Sequence, residues 1–287
     1  MSAQTDVPDL VSTEWLAAHL DADRVRVLDG SWWMPADKRD AQAEWRATHI
    51  PGARFFDIDR IADTSVPLPH MLPSESAFAD ALTALGIGAD DHVVVYDAAG
   101  IFSAPRVWWT FRAFGFDRVS VLDGGLPKWR REGRPLQSGE PPPPAAPAVR
   151  FAPRLDRRWV RSLDEMRANI ATARETVLDA RSPGRFAGSE PEPRPGLRGG
   201  HIPGSRNLPF GLLLDGGTMK PVDQLRSVLG NAGVGSTSSV VCTCGSGLTA
   251  AILALALHRM GQPNVAVYDG SWSEWGGRSD VPVATGA

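Results

Sequence analysis

Three short segments occur twice in this 287-residue chain, in the same order and at nearly constant spacing. Val27-Leu28-Asp29-Gly30 returns as Val177-Leu178-Asp179-Ala180, a shift of 150. His49-Ile50-Pro51-Gly52-Ala53 returns as His201-Ile202-Pro203-Gly204-Ser205, a shift of 152, and the Asp123-Gly124-Gly125 run, with Trp129 behind it, returns at Asp269-Gly270-Ser271 and Trp275, a shift of 146. Chance produces one such pair; three in order mean a tandem duplication of a unit of roughly 130 to 150 residues. Between the copies lie Ser138-Gly139-Glu140, four prolines (Pro141 to Pro144) and Ala-Ala-Pro. Such a stretch favours extended polyproline II and serves as a semi-rigid linker. The expected organisation is an N-terminal domain over 1–138, a linker over 139–150 and a C-terminal domain over 151–287.

Within each copy, short apolar runs alternate with helix-like stretches. Residues 92–97 and 239–242 read as buried central strands, and 15–20, 77–85, 108–114 and 163–170 as helices. Alternating strands and helices predict an α/β fold: two tandem domains, each a parallel sheet with helices on both faces. A net charge of −3 without a basic run argues against a nucleic-acid partner. Two cysteines make no disulfide framework and suit a reducing, cytoplasmic setting. Residues 1–10 lack a leader pattern, and the longest apolar run, 250–257, is too short to span a bilayer. Six scattered histidines and two cysteines show no metal-site spacing, so neither metal nor cofactor is expected.

The chemistry concentrates at Val240-Val241-Cys242-Thr243-Cys244-Gly245-Ser246-Gly247-Leu248-Thr249. A β-branched run ends at Cys244, and an apolar helical stretch starts at Thr249. Gly245 and Gly247 allow φ > 0, so that successive amides curl around the sulfur, with the positive end of the helix behind them. The loop is suited to hold a negatively charged sulfur at the carboxyl end of a strand, where parallel sheets bind ligands. Cys242, inside the apolar run, reads as packing. Moving Cys244 back by 146 lands on Ala98, so only the C-terminal copy is expected to do thiol chemistry, the first copy supplying structure and one wall of a cleft.

The tandem frame, His-Ile-Pro-Gly in both halves and Cys244-Gly245-Ser246-Gly247-Leu248-Thr249 resemble the rhodanese superfamily. Ser31-Trp32-Trp33-Met34-Pro35, Gly184-Arg185-Phe186 and Glu190-Pro191-Glu192-Pro193-Arg194 resemble, within it, the branch using 3-mercaptopyruvate. The resemblance implies a sulfur relay: Cys244 takes sulfur from the donor as a persulfide, releases pyruvate, and yields the sulfur to cyanide or to a thiol acceptor such as thioredoxin or a low-molecular thiol. It further implies that the amides of Gly245, Gly247, Leu248 and Thr249 hold the anion, that Arg185 and Arg194 bind the donor, and that Asp59, His70 and Ser246 form a proton relay. Guanidinium forks suit a donor with one carboxylate. The thiosulfate-using members of the family this chain resembles carry basic residues just after the cysteine, suited to a dianion, and Gly245, Ser246 and Gly247 put no cation there.

Blander readings stand beside these. Arg185 and Arg194 could form surface salt bridges with Glu190 and Glu192, and His70 could hydrogen-bond the backbone of its proline-rich loop. His49 and His201, present in both halves, read as structural. The competing functions are a thiosulfate sulfurtransferase, a non-catalytic binding module, and a cysteine phosphatase; the last requires an arginine six residues after the cysteine, where Ala250 stands.

Overall fold

The computed structural model describes residues 7–286, so most of the 1–10 stretch, where a leader pattern would stand, lies outside the described residues. Two compact units divide the chain. The first runs to Ala62 and adds Pro73–Leu155 and Gly216–Thr218; the second takes Asp63–Leu72, Asp156–Asp215 and the chain from Met219 onward.

In the N-terminal unit the chain runs through β1 (Leu10–Val11), α1 (Thr13–His19), β2 (Val25–Asp29), α2 (Ala41–Ala47), β3 (Arg54–Phe55), α3 (Glu75–Ala84), β4 (His92–Tyr96), α4 (Ala104–Ala113), β5 (Val119–Leu122) and α5 (Gly125–Arg131). Its strands are parallel, in the order β1-β5-β4-β2-β3. The C-terminal unit follows with β6 (Val160–Arg161), α6 (Leu163–Thr172), β7 (Thr176–Asp179), α7 (Pro183–Ala187) and β8 (Arg206–Asn207). A small pair, β9 (Leu214–Asp215) and β10 (Thr218–Met219), precedes α8 (Val222–Asn231), β11 (Ser239–Thr243), α9 (Ala250–Arg259), β12 (Asn264–Tyr268) and α10 (Ser271–Trp275). The five parallel strands of the second sheet run β6-β12-β11-β7-β8, the same order as in the first.

Covering a parallel sheet on both faces buries its central strands whole, which is why β4 and β11 are continuous apolar runs without alternation. The repeated sequence positions are core positions. Val27, Ile50 and Trp129 pack in one cluster, and Val177, Ile202 and Trp275 in the other. The indoles of Trp129 and Trp275 donate to the carbonyls of Pro135 and Pro282 in the same way, at 2.7 and 2.8 Å. His49 and His201 are matched as well. Each ring lies within hydrogen-bond distance of a helix carbonyl, Trp45 at 2.7 Å and Phe186 at 2.9 Å.

The four helices expected from apolar spacing are α1, α3, α4 and α6; the first three begin two to four residues before their apolar runs, and α6 begins with its run at Leu163. In three of them Ser12, Ser74 and Ser162 set the start by accepting the amide three residues on. The proline-rich segment lies on the N-terminal unit. Pro142 accepts from Arg54, Pro144 covers the open face of Gly86, and Val149 accepts from Ala89. Among the described residues no helix is long and apolar enough to cross a membrane.

Candidate active site

Strand β11 ends at Thr243, and the six residues 244–249 connect it to α9. Cys244 is therefore the first residue past the strand, and it is buried. The start of α10 grips the loop. Trp272 N–H donates to the Cys244 carbonyl at 3.0 Å, and Ser273 donates to the Gly245 carbonyl through both its amide (2.8 Å) and its hydroxyl (2.7 Å). The amide of Cys244 itself donates to Ser271 Oγ at 3.3 Å, and that hydroxyl donates onward to the Tyr268 carbonyl. Ser271 sits at φ 47°, a conformation a side chain rarely adopts and one that clusters at functional sites.

Of the two loop glycines only Gly247 takes positive φ, at 76°. The expectation for Gly245 is corrected: its φ is not positive, and its missing side chain leaves room for an arginine. A Cβ there would meet Arg185 Nη2 at 2.9 Å. Both cysteines are free thiols. Cys242 lies within β11, and burial, with the nearby Cys244 adding to it, pushes its thiol well above the ordinary range, so it stays neutral.

Arg185 is carried by α7, whose start is fixed by Pro183 and by the Ser182 hydroxyl accepting the Arg185 amide. Its guanidinium reaches Glu192 through Nε (3.2 Å) and Nη2 (2.5 Å). Glu192 also accepts from Arg181 Nη1 at 2.7 Å, and Arg181 holds Asp179 through Nε and Nη2 and donates to the Gly200 carbonyl. Side-chain exposure is 0% for Arg181, 1% for Asp179, 2% for Glu192 and 24% for Arg185, so this is an internal network and not a surface pair. Burial alone would pull the Arg181 pKa down, but Asp179 and Glu192 together hold it above its ordinary value. The Arg181 guanidinium lies over the Trp272 ring at 4.3 Å, which ties the network to the helix that grips Cys244. Sequence reasoning missed Arg181 and Ser271 and treated Glu192 only as a surface partner. The signal for Ser271 was present in the duplication: its counterpart Gly125 has φ 51°.

The N-terminal counterpart of Cys244 is Asp97, not Ala98. Asp29 pairs with Tyr96 across the sheet as Asp179 pairs with Thr243, so the next residues correspond. Leu126 N–H donates to the Asp97 carbonyl at 3.0 Å, as Trp272 does to Cys244. The first loop, 97–103, has seven residues against six, and this one-residue difference misplaced the fixed shift. The Asp97 carboxylate accepts five backbone amides at 2.8–2.9 Å, those of Ala99, Gly100, Phe102, Ser103 and Ala104. The shared frame thus closes its loop around an anion, which in this copy is part of the chain itself.

The segment Asp63–Leu72 belongs to the C-terminal unit, and with it His70, buried at φ 62°. Leu72 N–H donates to Asp269 Oδ2 at 2.9 Å, which anchors the His70 segment two residues before Ser271. Ser246 and Leu248 are buried in the loop, and Gly245 and Thr249 are half-buried. Asp59 lies in the N-terminal unit, where its carboxylate accepts the Trp32 indole at 2.9 Å. Arg194 is half-buried in the turn after Glu192.

A model of the rhodanese-like domain matches residues 12–132 and again residues 162–278. The 3-mercaptopyruvate sulfurtransferase of Homo sapiens is 46% identical over 273 residues, 93% of this chain and 91% of that protein. Thiosulfate/3-mercaptopyruvate sulfurtransferase 1, a mitochondrial protein of Arabidopsis thaliana, is 42% identical over 98% of this chain and 79% of its own length. Among solved structures, the 3-mercaptopyruvate sulfotransferase SseA of Escherichia coli superposes with a TM-score of 0.83 at 37% identity, covering 93% of this chain and 99% of that one. With the same strand order twice over and a domain match in each half, the chain belongs to the rhodanese family as a tandem of two rhodanese-like domains.

Proposed function

We propose that this protein is a sulfurtransferase that draws sulfur from 3-mercaptopyruvate, carries it as a persulfide on Cys244 and hands it to a thiol or cyanide. One observation carries the reading: the Arg185 guanidinium lies against Gly245, the residue beside the thiol, while Glu192 occupies its Nε/Nη2 edge only. Nη1 is left to receive a donor's carboxylate, with Arg194 as a second guanidinium.

In the first half-reaction the Cys244 thiolate attacks the donor's sulfur. The S–S bond forms as the S–C bond breaks, and the electron pair leaves with carbon as the enolate of pyruvate. The proton of the donor's thiol is then available to the enolate carbon, which yields pyruvate and an anionic persulfide. Ser246, His70 and Asp59 are the groups proposed to move that proton. The loop amides, from Gly245 and Gly247 to Leu248 and Thr249, stabilise the charged sulfur. In the second half-reaction an acceptor such as thioredoxin or a low-molecular thiol removes the outer sulfur and returns the thiolate, which makes the cycle ping-pong. The domain division at 138/139 and 150/151 and a cytoplasmic location, the latter suited to two free thiols, belong to the same proposal.

Thiosulfate as donor is the second reading, favoured by the name of the Arabidopsis relative, which carries both donors. Incubation with 3-mercaptopyruvate and no acceptor tests the scheme. One added sulfur atom on the peptide containing Cys244, matched by one pyruvate, is expected. Pyruvate without that adduct, or sulfur on Cys242, would contradict it.

A further inference from the structure

Glu192 is a buried carboxylate shared between two guanidiniums, and the proposed chemistry gives it no role. Its geometry is specific. Oε2 takes Nη2 of Arg185 at 2.5 Å, Arg185 Nε is shared between Oε2 at 3.2 Å and Oε1 at 3.3 Å, and Oε1 also takes Nη1 of Arg181 at 2.7 Å. Arg181 cannot move to follow it, because Asp179 and the Gly200 carbonyl hold its other donors. An arginine guanidinium offers a carboxylate two edges with paired donors, since its third side carries Cδ, and Glu192 occupies the Nε/Nη2 edge of Arg185. What remains for a ligand is the edge formed by Nη1 and the second hydrogen of Nη2. That edge is planar and has two donors, which matches a carboxylate.

Charge gives a second consequence. Asp179 and Glu192 carry two negative charges, and Arg181 and Arg185 carry two positive ones. Arg185 therefore meets its ligand from a network without net charge. Such a site orients a monoanion by hydrogen bonds, and it offers little to offset the desolvation of a dianion.

We propose that Glu192 is a positioning and specificity-determining residue: it fixes the free edge of Arg185 toward Cys244 and cancels the charge that would admit a dianionic donor. The inference rests on the assignment of Cys244 and Arg185 as nucleophile and donor-binding residue. Together with Arg194, the second guanidinium proposed to bind the donor, it accounts for selection of a monocarboxylate keto acid over thiosulfate without repulsive residues in the loop. It also explains why the carboxylate is placed inside the protein, where its charge is poorly screened.

Two substitutions separate the two roles. Glu192→Gln removes the charge and keeps the shape, whereas Glu192→Asp keeps the charge and shortens the reach. We measure KM and kcat with 3-mercaptopyruvate and with thiosulfate, using one thiol acceptor, and monitor folding by thermal melting. Glu192→Gln is expected to raise KM for 3-mercaptopyruvate and to raise kcat/KM for thiosulfate, moving the ratio between donors by about tenfold or more. Glu192→Asp is expected to raise KM for 3-mercaptopyruvate with no gain for thiosulfate, and since it preserves the buried charge balance it serves where the glutamine variant does not fold. Equal proportional changes for both donors in the folded variants, or no change, would overturn the role of Glu192 while leaving the function intact. A wild type that prefers thiosulfate, or transfers from neither donor, would overturn the functional reading and this inference with it.

Discussion

Replacing Gly245 by alanine places a Cβ 2.9 Å from Arg185 Nη2, and the atom that must yield is the far end of a flexible side chain. The cost to stability is expected to stay below about 1 kcal/mol, because Gly245 does not sit at positive φ. Donor binding should suffer more, with KM for 3-mercaptopyruvate rising as Arg185 is displaced; an unchanged KM with lost stability would show the contact to be purely structural. Asp29 offers a prediction of another kind. Burial, opposed by hydrogen bonds from Ser31 and Tyr96, raises its pKa from 3.8 to about 6. Because the unfolded chain releases this proton first, the folded state loses stability as pH rises from about 4 to about 6, by up to about 3 kcal/mol, and the loss is complete above that window. Asp29→Asn removes this term and keeps an oxygen to accept the Ser31 amide. Its stability relative to wild type is expected to improve between pH 4 and pH 7 in denaturant titrations, and a flat difference would contradict the shift.

At the scale of elements, the two strand-to-helix loops show one frame serving two purposes. The first encloses the Asp97 carboxylate; the second presents a thiol at the corresponding place. Asp97→Asn sets an NH2 group against backbone donors that now share the carboxylate, and is expected to cost about 3 kcal/mol in urea unfolding without changing kcat of the folded enzyme. The elements that sequence reveals are those whose signal is contiguous. Strands β4 and β11 read directly as apolar runs, and Cys244 followed by Gly245 and Gly247 marked the loop. The starts of α1 and α3 were less legible, since Ser12 and Ser74 decide them by a single hydrogen bond outside the apolar pattern, whereas α6 starts with its apolar run. Asp97 was missed by one position because the two loops differ in length, which no fixed shift can accommodate. The Arg181–Glu192 pair was hidden for a different reason: its partners are eleven residues apart, on either side of the short helix α7, and no periodicity relates them. Gly245 was read as supplying φ freedom and instead leaves room for Arg185, because φ freedom and lack of volume leave the same letter in the sequence.

Over the whole molecule, duplication has kept the core and released the sites. Both units preserve the strand order, the Trp129/Trp275 anchor and the His49/His201 contact to a helix carbonyl, all of which serve stability. They diverge where ligands bind in such sheets, beyond the carboxyl ends of the strands. There the second unit gathers Cys244, the amides of its loop and a braced arginine, while the first fills the same place with its own carboxylate. The central claim is that this single thiol moves sulfur from a keto-acid donor. Steady-state kcat/KM with 3-mercaptopyruvate and with thiosulfate, against one thiol acceptor, for wild type and Cys244→Ser, tests it most directly. A strong preference for 3-mercaptopyruvate that vanishes in the folded variant is the expected result; transfer that survives in Cys244→Ser would contradict the account.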